Sequence, residues 1–223
     1  MARIRDARPK NSSGSYERVF GNAALGELIS KVQSAVISSG SELEKIIASL
    51  VKNIDDLDAF LEQEVMPNGV LLARKRQMKQ SKTLDFADSE PDFMVFKRRR
   101  NIQTCHIIEL KDGHVFDTKK ASAERRAMHG FIERNAQHIQ YRFQAHFCAF
   151  NQNNKDAIWD GFKRKIAHNE VMTGPEFCNL LEIDYEAIVA RRRADGPDNL
   201  EFFMSELIAI NPVRRRLEKL LNA

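Results

Sequence analysis

The apolar residues in the first third of the chain recur at the spacing of an α-helix. One apolar stripe predicts a helix over residues 22–38, and the Ser-Ser-Gly-Ser run at residues 38–41 is predicted to end it. A second stripe predicts another helix over residues 42–65. Residues 1–20 show no periodicity, so we expect them to form a flexible N-terminal arm.

Farther along the chain, two short apolar runs separated by a polar tip predict a β-hairpin. The runs are residues 93–96 and 105–110. If the tip turns at residues 100–101, antiparallel pairing sets Asp92 directly opposite Glu109, with their Cβ atoms about 5 Å apart. The two carboxylates then point to the same face of the sheet.

The remaining pattern supplies the elements around this hairpin. Residues 70–73 predict a short strand before it, a helix after it runs to about His138, and residues 141–150 predict another strand. From residue 151 onward the chain is predicted to be helical, with no further strand. The result is an α/β (α+β) chain in which a helix precedes three strands, a helix and a strand.

Three regions follow from this order of elements. We predict the flexible arm at residues 1–20, a core at residues 21–150, and a helical C-terminal extension at residues 151–223 that packs on the core. A chain of 223 residues is long enough for one domain with an appended subdomain.

Candidate chemistry lies on one face of the hairpin. Glu109 and Lys111 are two positions apart on one strand and share the face of Asp92. Two clustered carboxylates repel each other unless a cation lies between them. Mg²⁺ prefers hard oxygen ligands and often combines one or two carboxylates with water and phosphate oxygens. The sequence therefore favours a magnesium site beside a lysine.

These residues resemble the catalytic signature of the PD-(D/E)xK nuclease superfamily, which includes most type II restriction endonucleases. The signature here is Pro91-Asp92, followed after sixteen residues by Glu109-Leu110-Lys111. The predicted order of elements matches the αβββαβ core of that superfamily. The resemblance covers roughly residues 40–150. It implies a restriction-endonuclease-like fold with a mixed central sheet, extended by N-terminal helices and a helical C-terminal region.

The resemblance also implies roles for the residues. Asp92, Glu109 and the backbone carbonyl of Leu110 would hold Mg²⁺, and Lys111 would orient the attacking water or stabilise developing negative charge. The stretch from Gly40 to Glu44 resembles the G-x-x-x-E element on the first core helix of related nucleases, which makes Glu44 a candidate metal ligand. Glu44 fits equally well as an acid favoured by the dipole at a helix N-terminus.

Two other interpretations of this stretch stay open. In one, the hairpin is an edge of the sheet that carries an ordinary cross-strand pair of an acid and a base. In the other, the register differs and Asp85, Asp88 or Glu90 takes the place of Asp92.

Basic residues are unevenly distributed along a chain with a net charge of +4 and a pI near 9.0. They form five clusters, at residues 74–76, 97–100, 119–120, 191–193 and 214–216, and this favours a polyanionic partner. The candidate DNA-binding residues are Arg74, Arg76, Lys79, Arg98, Arg99, Arg100, Lys119 and Lys120.

Other features of the composition narrow the setting. Cys105, Cys148 and Cys178 are far apart in sequence and are predicted to be buried, reduced thiols. No apolar run reaches the roughly 18 residues that span a membrane, and no apolar stretch follows the basic N-terminus as in a secretory signal. We therefore expect a protein of the prokaryotic cytoplasm.

The sequence thus predicts a Mg²⁺-dependent type II restriction endonuclease that cuts double-stranded DNA at a short specific sequence. The resemblance implies a homodimer and a cognate DNA methyltransferase as a partner within the same system. The first alternative is a structure-specific repair or junction-resolving nuclease of the same fold. The others are a non-catalytic DNA-binding module and a helical protein that does not bind nucleic acid.

Overall fold

The computed structural model describes most of the chain. The described residues are 2–8, 14–63, 66–86, 90–113 and 118–222. Asp88 and residues 114–117 lie outside these ranges.

A five-stranded mixed sheet forms the centre of the fold. In chain order its strands are β1 (Gly69–Arg74), β2 (Phe93–Arg99), β3 (Ile102–Lys111), β4 (Arg142–Ala149) and β5 (Val171–Thr173). Their order across the sheet is the same as their order in the chain. The first three strands are antiparallel neighbours, whereas β3, β4 and β5 are parallel neighbours. The predicted mixed α/β architecture is confirmed at this level.

The predicted hairpin register is also confirmed. Phe93 pairs with Ile108 at one end of the hairpin, and Arg99 pairs with Ile102 at the other end. The turn therefore lies at residues 100–101, where Arg100 has a φ of 55°. Both hairpin strands are interior to the sheet, because β1 covers one side and β4 covers the other. The interpretation of the hairpin as a sheet edge is wrong.

Helices make up most of the remaining described residues. They are α1 (Gly14–Phe20), α2 (Ala23–Leu50), α3 (Leu57–Leu61), α4 (Lys75–Gln80), α5 (Ala121–Asn135), α6 (Lys155–Gly161), α7 (Gly174–Leu181), α8 (Tyr185–Arg193), α9 (Gly196–Ala209) and α10 (Asn211–Leu221). None of the helices in the described ranges is long and apolar enough to cross a lipid bilayer.

The N-terminal helical region differs from the prediction. A single helix, α2, runs through residues 38–41, where two helices were expected to be separated. The Ser38 hydroxyl donates to the Ser34 carbonyl at 2.8 Å, and the Ser39 hydroxyl donates to the Val36 carbonyl at 2.8 Å. Serines whose hydroxyls bond back to the preceding turn are tolerated inside a helix, so this run does not break it.

Two other expectations about the elements are corrected. The strand β5 follows residue 150, so the sheet continues into the region predicted to be helical only. It extends the sheet because Val171 to Thr173 pair with the end of β4. The expected arm also contains α1 and a short 3-10 turn at Ile4–Asp6, whose Ile4 amide donates to the Asn199 side chain at 2.8 Å.

The chain divides into two compact units. One contains residues 44–185 with the whole sheet, and the other contains residues 1–43 and 186–223. These limits differ from the predicted division at residues 20 and 150, which stays a prediction. The sheet unit has a continuous apolar core in which Phe96, Phe131 and Phe147 are fully buried. The three cysteines are buried, as predicted.

Candidate active site

Asp92 lies at the start of the hairpin, where the ladder of β2 and β3 begins. Its backbone N–H donates to the Ile108 carbonyl at 2.9 Å, which fixes the residue beside β3. Its side-chain Oδ2 accepts a hydrogen bond from the Leu110 N–H at 2.6 Å. The residue is only 5 % exposed, so the carboxylate is both buried and held by the backbone of the opposite strand.

Glu109 and Lys111 lie on β3 beside Asp92, as the predicted register requires. The Lys111 ammonium is 2.7 Å from Oε1 of Glu109 and 3.4 Å from Oε1 of Glu124. Glu124 lies in the first turn of α5, so this helix supplies a second carboxylate to the lysine. The pair of Glu109 and Lys111 therefore belongs to a larger charged cluster that α5 closes on one side.

The electrostatics of the cluster show that its carboxylates are incompletely balanced. Burial raises the pKa of Glu109, and the nearby charge of Asp92 raises it further, while Lys111 opposes both effects. Burial by itself lowers the pKa of Lys111, but Glu109, Glu124 and Asp92 outweigh it, so that pKa is raised. A cation between Asp92 and Glu109 would relieve their repulsion.

A second lysine and a third carboxylate complete the cluster from the other side. Lys75 begins α4, and its ammonium forms an ion pair with Oδ1 of Asp92. Glu44 lies on α2, where burial and then the charge of Asp92 raise its pKa, and Lys75 opposes them. Glu44 is near the C-terminal end of that helix, so the dipole of a helix N-terminus does not explain its position.

The donor set of the cluster suits a divalent cation with hard ligands. Asp92 and Glu109 offer carboxylate oxygens on one face, which are the ligands that Mg²⁺ prefers. Within the described ranges, however, no three or more His, Cys, Asp or Glu residues are gathered closely enough to hold a metal ion. A cation bound here would therefore complete its shell with water or with phosphate oxygens.

Five of the candidate DNA-binding residues are close in sequence to this cluster. Arg74 ends β1 opposite Phe93, and the exposed Arg76 and Lys79 follow on α4. Lys79 forms an ion pair with Glu90 at 3.0 Å. Lys119 and Lys120 are exposed and directly precede α5.

The other three candidates lie at the opposite end of the hairpin. Eight residues of extended strand separate Arg100 from Asp92, which corresponds to about 25 Å. Arg98 donates through Nη1 to the Met66 carbonyl and through Nε to the Arg100 carbonyl at 3.2 Å. Arg99 is 3.3 Å from a carboxylate oxygen of Glu182. The structure therefore does not bring these arginines to the carboxylates.

The structure adds two residues that the sequence analysis did not assign to the site. Lys75 was part of a recognised basic cluster, and only the contact with Asp92 separates it from its basic neighbours. Glu124 was visible as an acid in the first turn of a predicted helix, but its distance from Lys111 depends on how that helix packs.

The structure also separates Asp92 from the acids that were held as alternatives to it. Glu90 is exposed and paired with Lys79. The Asp85 carboxylate lies 3.6 Å from Arg134. Asp88 lies outside the described residues.

Comparison with known proteins gives one long and continuous similarity. The chain is 37 % identical to the type II restriction enzyme HhaII of Haemophilus parahaemolyticus over 218 residues, which is 94 % of this chain and 95 % of that enzyme. No family model and no solved structure matches the chain. An identity of this size over almost the full length of both proteins shows common descent, and the chain therefore belongs to the family of type II restriction enzymes.

Proposed function

We propose that this protein is a Mg²⁺-dependent type II restriction endonuclease of the PD-(D/E)xK superfamily. It hydrolyses phosphodiester bonds of double-stranded DNA at a short specific sequence. The observation that carries the proposal is the placement of Asp92, Glu109 and Lys111 together on one face of an interior hairpin. Membership of the type II restriction enzyme family supports the same activity.

Asp92, Glu109 and the backbone carbonyl of Leu110 are the proposed metal ligands, and Glu44 is a further candidate. Bound Mg²⁺ supplies a lowered pKa for a coordinated water and neutralises charge on the scissile phosphate. The protein contributes a rigid first ligand, because the Leu110 N–H and the hairpin ladder fix the carboxylate of Asp92. Glu109 is held in turn by its ion pair with Lys111.

Lys111 is the proposed catalytic cation. Glu109 and Glu124 keep it protonated by raising its pKa, so it acts as a hydrogen-bond donor and not as a base. A fixed ammonium next to the reacting phosphate orients the attacking water or stabilises charge that develops on the phosphoryl oxygens. Glu124 is a positioning residue that holds Lys111 from the side of α5.

The basic residues near the cluster are the proposed contacts to the DNA backbone around the cut. Arg74, Arg76 and Lys79 lie on the side of α4, and Lys119 and Lys120 lie before α5. Cations that contact phosphates position the duplex without reading its sequence. Arg98, Arg99 and Arg100, about 25 Å away along the strands, are proposed to contact the duplex far from the cut.

We further propose that the protein acts as a homodimer, so that two sites meet the two strands of a symmetric sequence. The unit of residues 1–43 and 186–223 carries nine of the eleven large apolar side chains that are exposed among the described residues. Leu200, Met204 and Ile208 form one stripe along α9, and we assign this stripe to the contact with a second copy.

The dimer has its own test. Light scattering of the purified protein should give twice the mass of one chain, and the change Met204→Glu should convert it to a single chain. A monomeric wild type at micromolar concentration would contradict the assignment. A cognate DNA methyltransferase and a cytoplasmic location remain predictions from the family resemblance.

Plasmid digestion tests the proposed activity directly. The wild type should produce discrete fragments with Mg²⁺ and none with EDTA, and sequencing of the fragment ends should give one short sequence. The variants Glu109→Ala and Lys111→Ala should leave the plasmid intact while they remain folded by circular dichroism.

The other outcomes favour the alternatives. Cleavage only of branched or junction DNA would favour a structure-specific nuclease. DNA binding without cleavage would favour a non-catalytic module. Absence of both, with unmethylated DNA from several sources at low salt, would overturn the proposal.

A further inference from the structure

Lys75 occupies the carboxylate that the proposed metal site needs most. Its ammonium pairs with Oδ1 of Asp92, and the Leu110 N–H occupies Oδ2. Asp92 is 5 % exposed, so solvent does not screen this ion pair well on the side of the carboxylate. A divalent cation that approaches Oδ1 therefore meets an ammonium already in contact with its ligand.

The two lysines of the cluster are held unequally. Lys111 contacts two carboxylates, those of Glu109 and Glu124, and its side chain is 33 % exposed. Lys75 forms an ion pair with Asp92, and its side chain is 41 % exposed. Lys75 lies at the first position of α4, directly between Arg74 and Arg76. It is therefore the cation of the cluster that is better placed to reach a phosphate.

The charges of the cluster give this exchange a direction. Four carboxylates, those of Glu44, Asp92, Glu109 and Glu124, face only two ammonium groups. If Lys75 moves to a DNA phosphate, Asp92 and its neighbours lose a counter-ion and gain attraction for a divalent cation. Conversely, a cation bound at Asp92 repels Lys75 towards the phosphate.

We propose that Lys75 couples the binding of DNA to the binding of the divalent cation, by exchanging Asp92 for a DNA phosphate. In the free enzyme Lys75 competes with the cation for Asp92. On DNA it contacts the backbone and leaves the carboxylate open. The inference rests on the proposed function and adds to it a residue that prevents tight metal binding before DNA is engaged.

Thermodynamic linkage makes the coupling reciprocal, so that each ligand raises the affinity for the other by the same factor. The change Lys75→Met removes the competing charge from Asp92. We expect Ca²⁺ to bind this variant roughly tenfold more tightly than the wild type when DNA is absent. The factor by which DNA raises the affinity for Ca²⁺ should fall by a similar amount, because part of the coupling is lost.

Calorimetric titration with Ca²⁺, with and without a short duplex, measures both quantities without turnover. Lys75→Arg keeps the charge and should restore the coupling of the wild type. Lys82→Met removes an exposed lysine from the segment that follows α4 and is the matched control, with wild-type Ca²⁺ affinity expected. Melting temperatures of all variants show whether each one is folded.

The results separate a failed inference from a failed function. If the wild type binds Ca²⁺ and Glu109→Ala does not, the proposed metal site stands. Weaker or unchanged Ca²⁺ binding by folded Lys75→Met would then overturn the coupling and leave Lys75 as a structural partner of Asp92. If the wild type and Glu109→Ala bind Ca²⁺ equally, the proposed metal site itself fails.

Discussion

The two ends of the hairpin formed by β2 and β3 have opposite chemistry. At one end Asp92 and Glu109 are two acids with raised mutual repulsion, and separate lysines from α4 and β3 balance them. At the other end Arg98 and Arg99 bind carbonyl groups and Glu182, so their charges are absorbed by the protein itself. Side chains of equal charge density therefore differ in how much attraction they retain for a ligand.

The contrast shows that counting charges in a sequence is a poor guide to a site. The arginine tip is the densest basic run of the hairpin, yet two of its three arginines already have protein partners. The carboxylate end has fewer charges, but burial and mutual repulsion leave an unmet demand for positive charge. A demand of this kind, more than the number of charges, marks a site for a ligand.

The largest expected effect follows from removing a charge at the carboxylate end. Asp92→Asn keeps the size of the side chain and an acceptor for the Leu110 N–H, but it removes the negative charge. We expect the rate of DNA cleavage to fall by about 10³-fold or more. Single-turnover digestion with saturating enzyme measures it, and a loss of less than tenfold would contradict a role in metal binding.

A somewhat smaller effect is expected at the lysine of the same end. Lys111→Met should lower the single-turnover rate by about 10²-fold, because a positioned charge is lost while both carboxylates remain. DNA affinity in Ca²⁺ should change little. A variant that lost DNA binding as well would show that Lys111 mainly holds the duplex or the fold.

The middle of the hairpin gives a test of stability through a pair of buried histidines. Nδ1 of His106 lies 3.0 Å from Nε2 of His146. Burial is the main cause that lowers the pKa of each to about 4, and His106 is lowered further by His146 and His146 by Lys155. The unfolded chain therefore takes up protons that the folded chain does not, and stability falls as the pH drops from about 6.5 to about 4.

The expected size is roughly 2 kcal/mol per histidine between pH 7 and pH 5. Urea unfolding at the two pH values measures the loss, and His106→Gln should reduce it by about that amount. An equal pH dependence in the variant and the wild type would show that His106 titrates normally in the folded protein.

The smallest effect is expected at the arginine tip. Arg100→Gln should weaken DNA binding in Ca²⁺ only a few-fold and lower the slope of log affinity against log salt by about 1, as for one lost phosphate contact. The cleavage rate of bound DNA should stay the same. An unchanged salt slope would remove Arg100 from the proposed DNA contacts.

Several parts of the fold followed from the sequence because local signals determined them. The polar tip between two apolar runs fixed the turn at residues 100–101, and this turn fixed the register that sets Asp92 beside Glu109. The capping box of Thr173 and Glu176 was readable in the same way, and the two residues exchange hydrogen bonds at the start of α7.

Other parts depended on packing that the sequence does not display. The serines at residues 38 and 39 suggested a break, but their hydroxyls bond back into α2 and the helix continues. The three-residue strand β5 is too short for a periodic signal and forms only because β4 offers it a partner. Lys75 and Glu124 join the cluster through the packing of two helices, so no motif predicts them.

The central claim is that the carboxylate end of the hairpin is a metal-dependent cleavage centre and the arginine end is not. Single-turnover cleavage of one mapped duplex in Mg²⁺, by Glu109→Gln and by Arg100→Gln, tests it most directly. The account predicts that Glu109→Gln loses about 10³-fold in rate while Arg100→Gln keeps the wild-type rate. Equal rates for the two variants would contradict it and remove Glu109 from the chemistry.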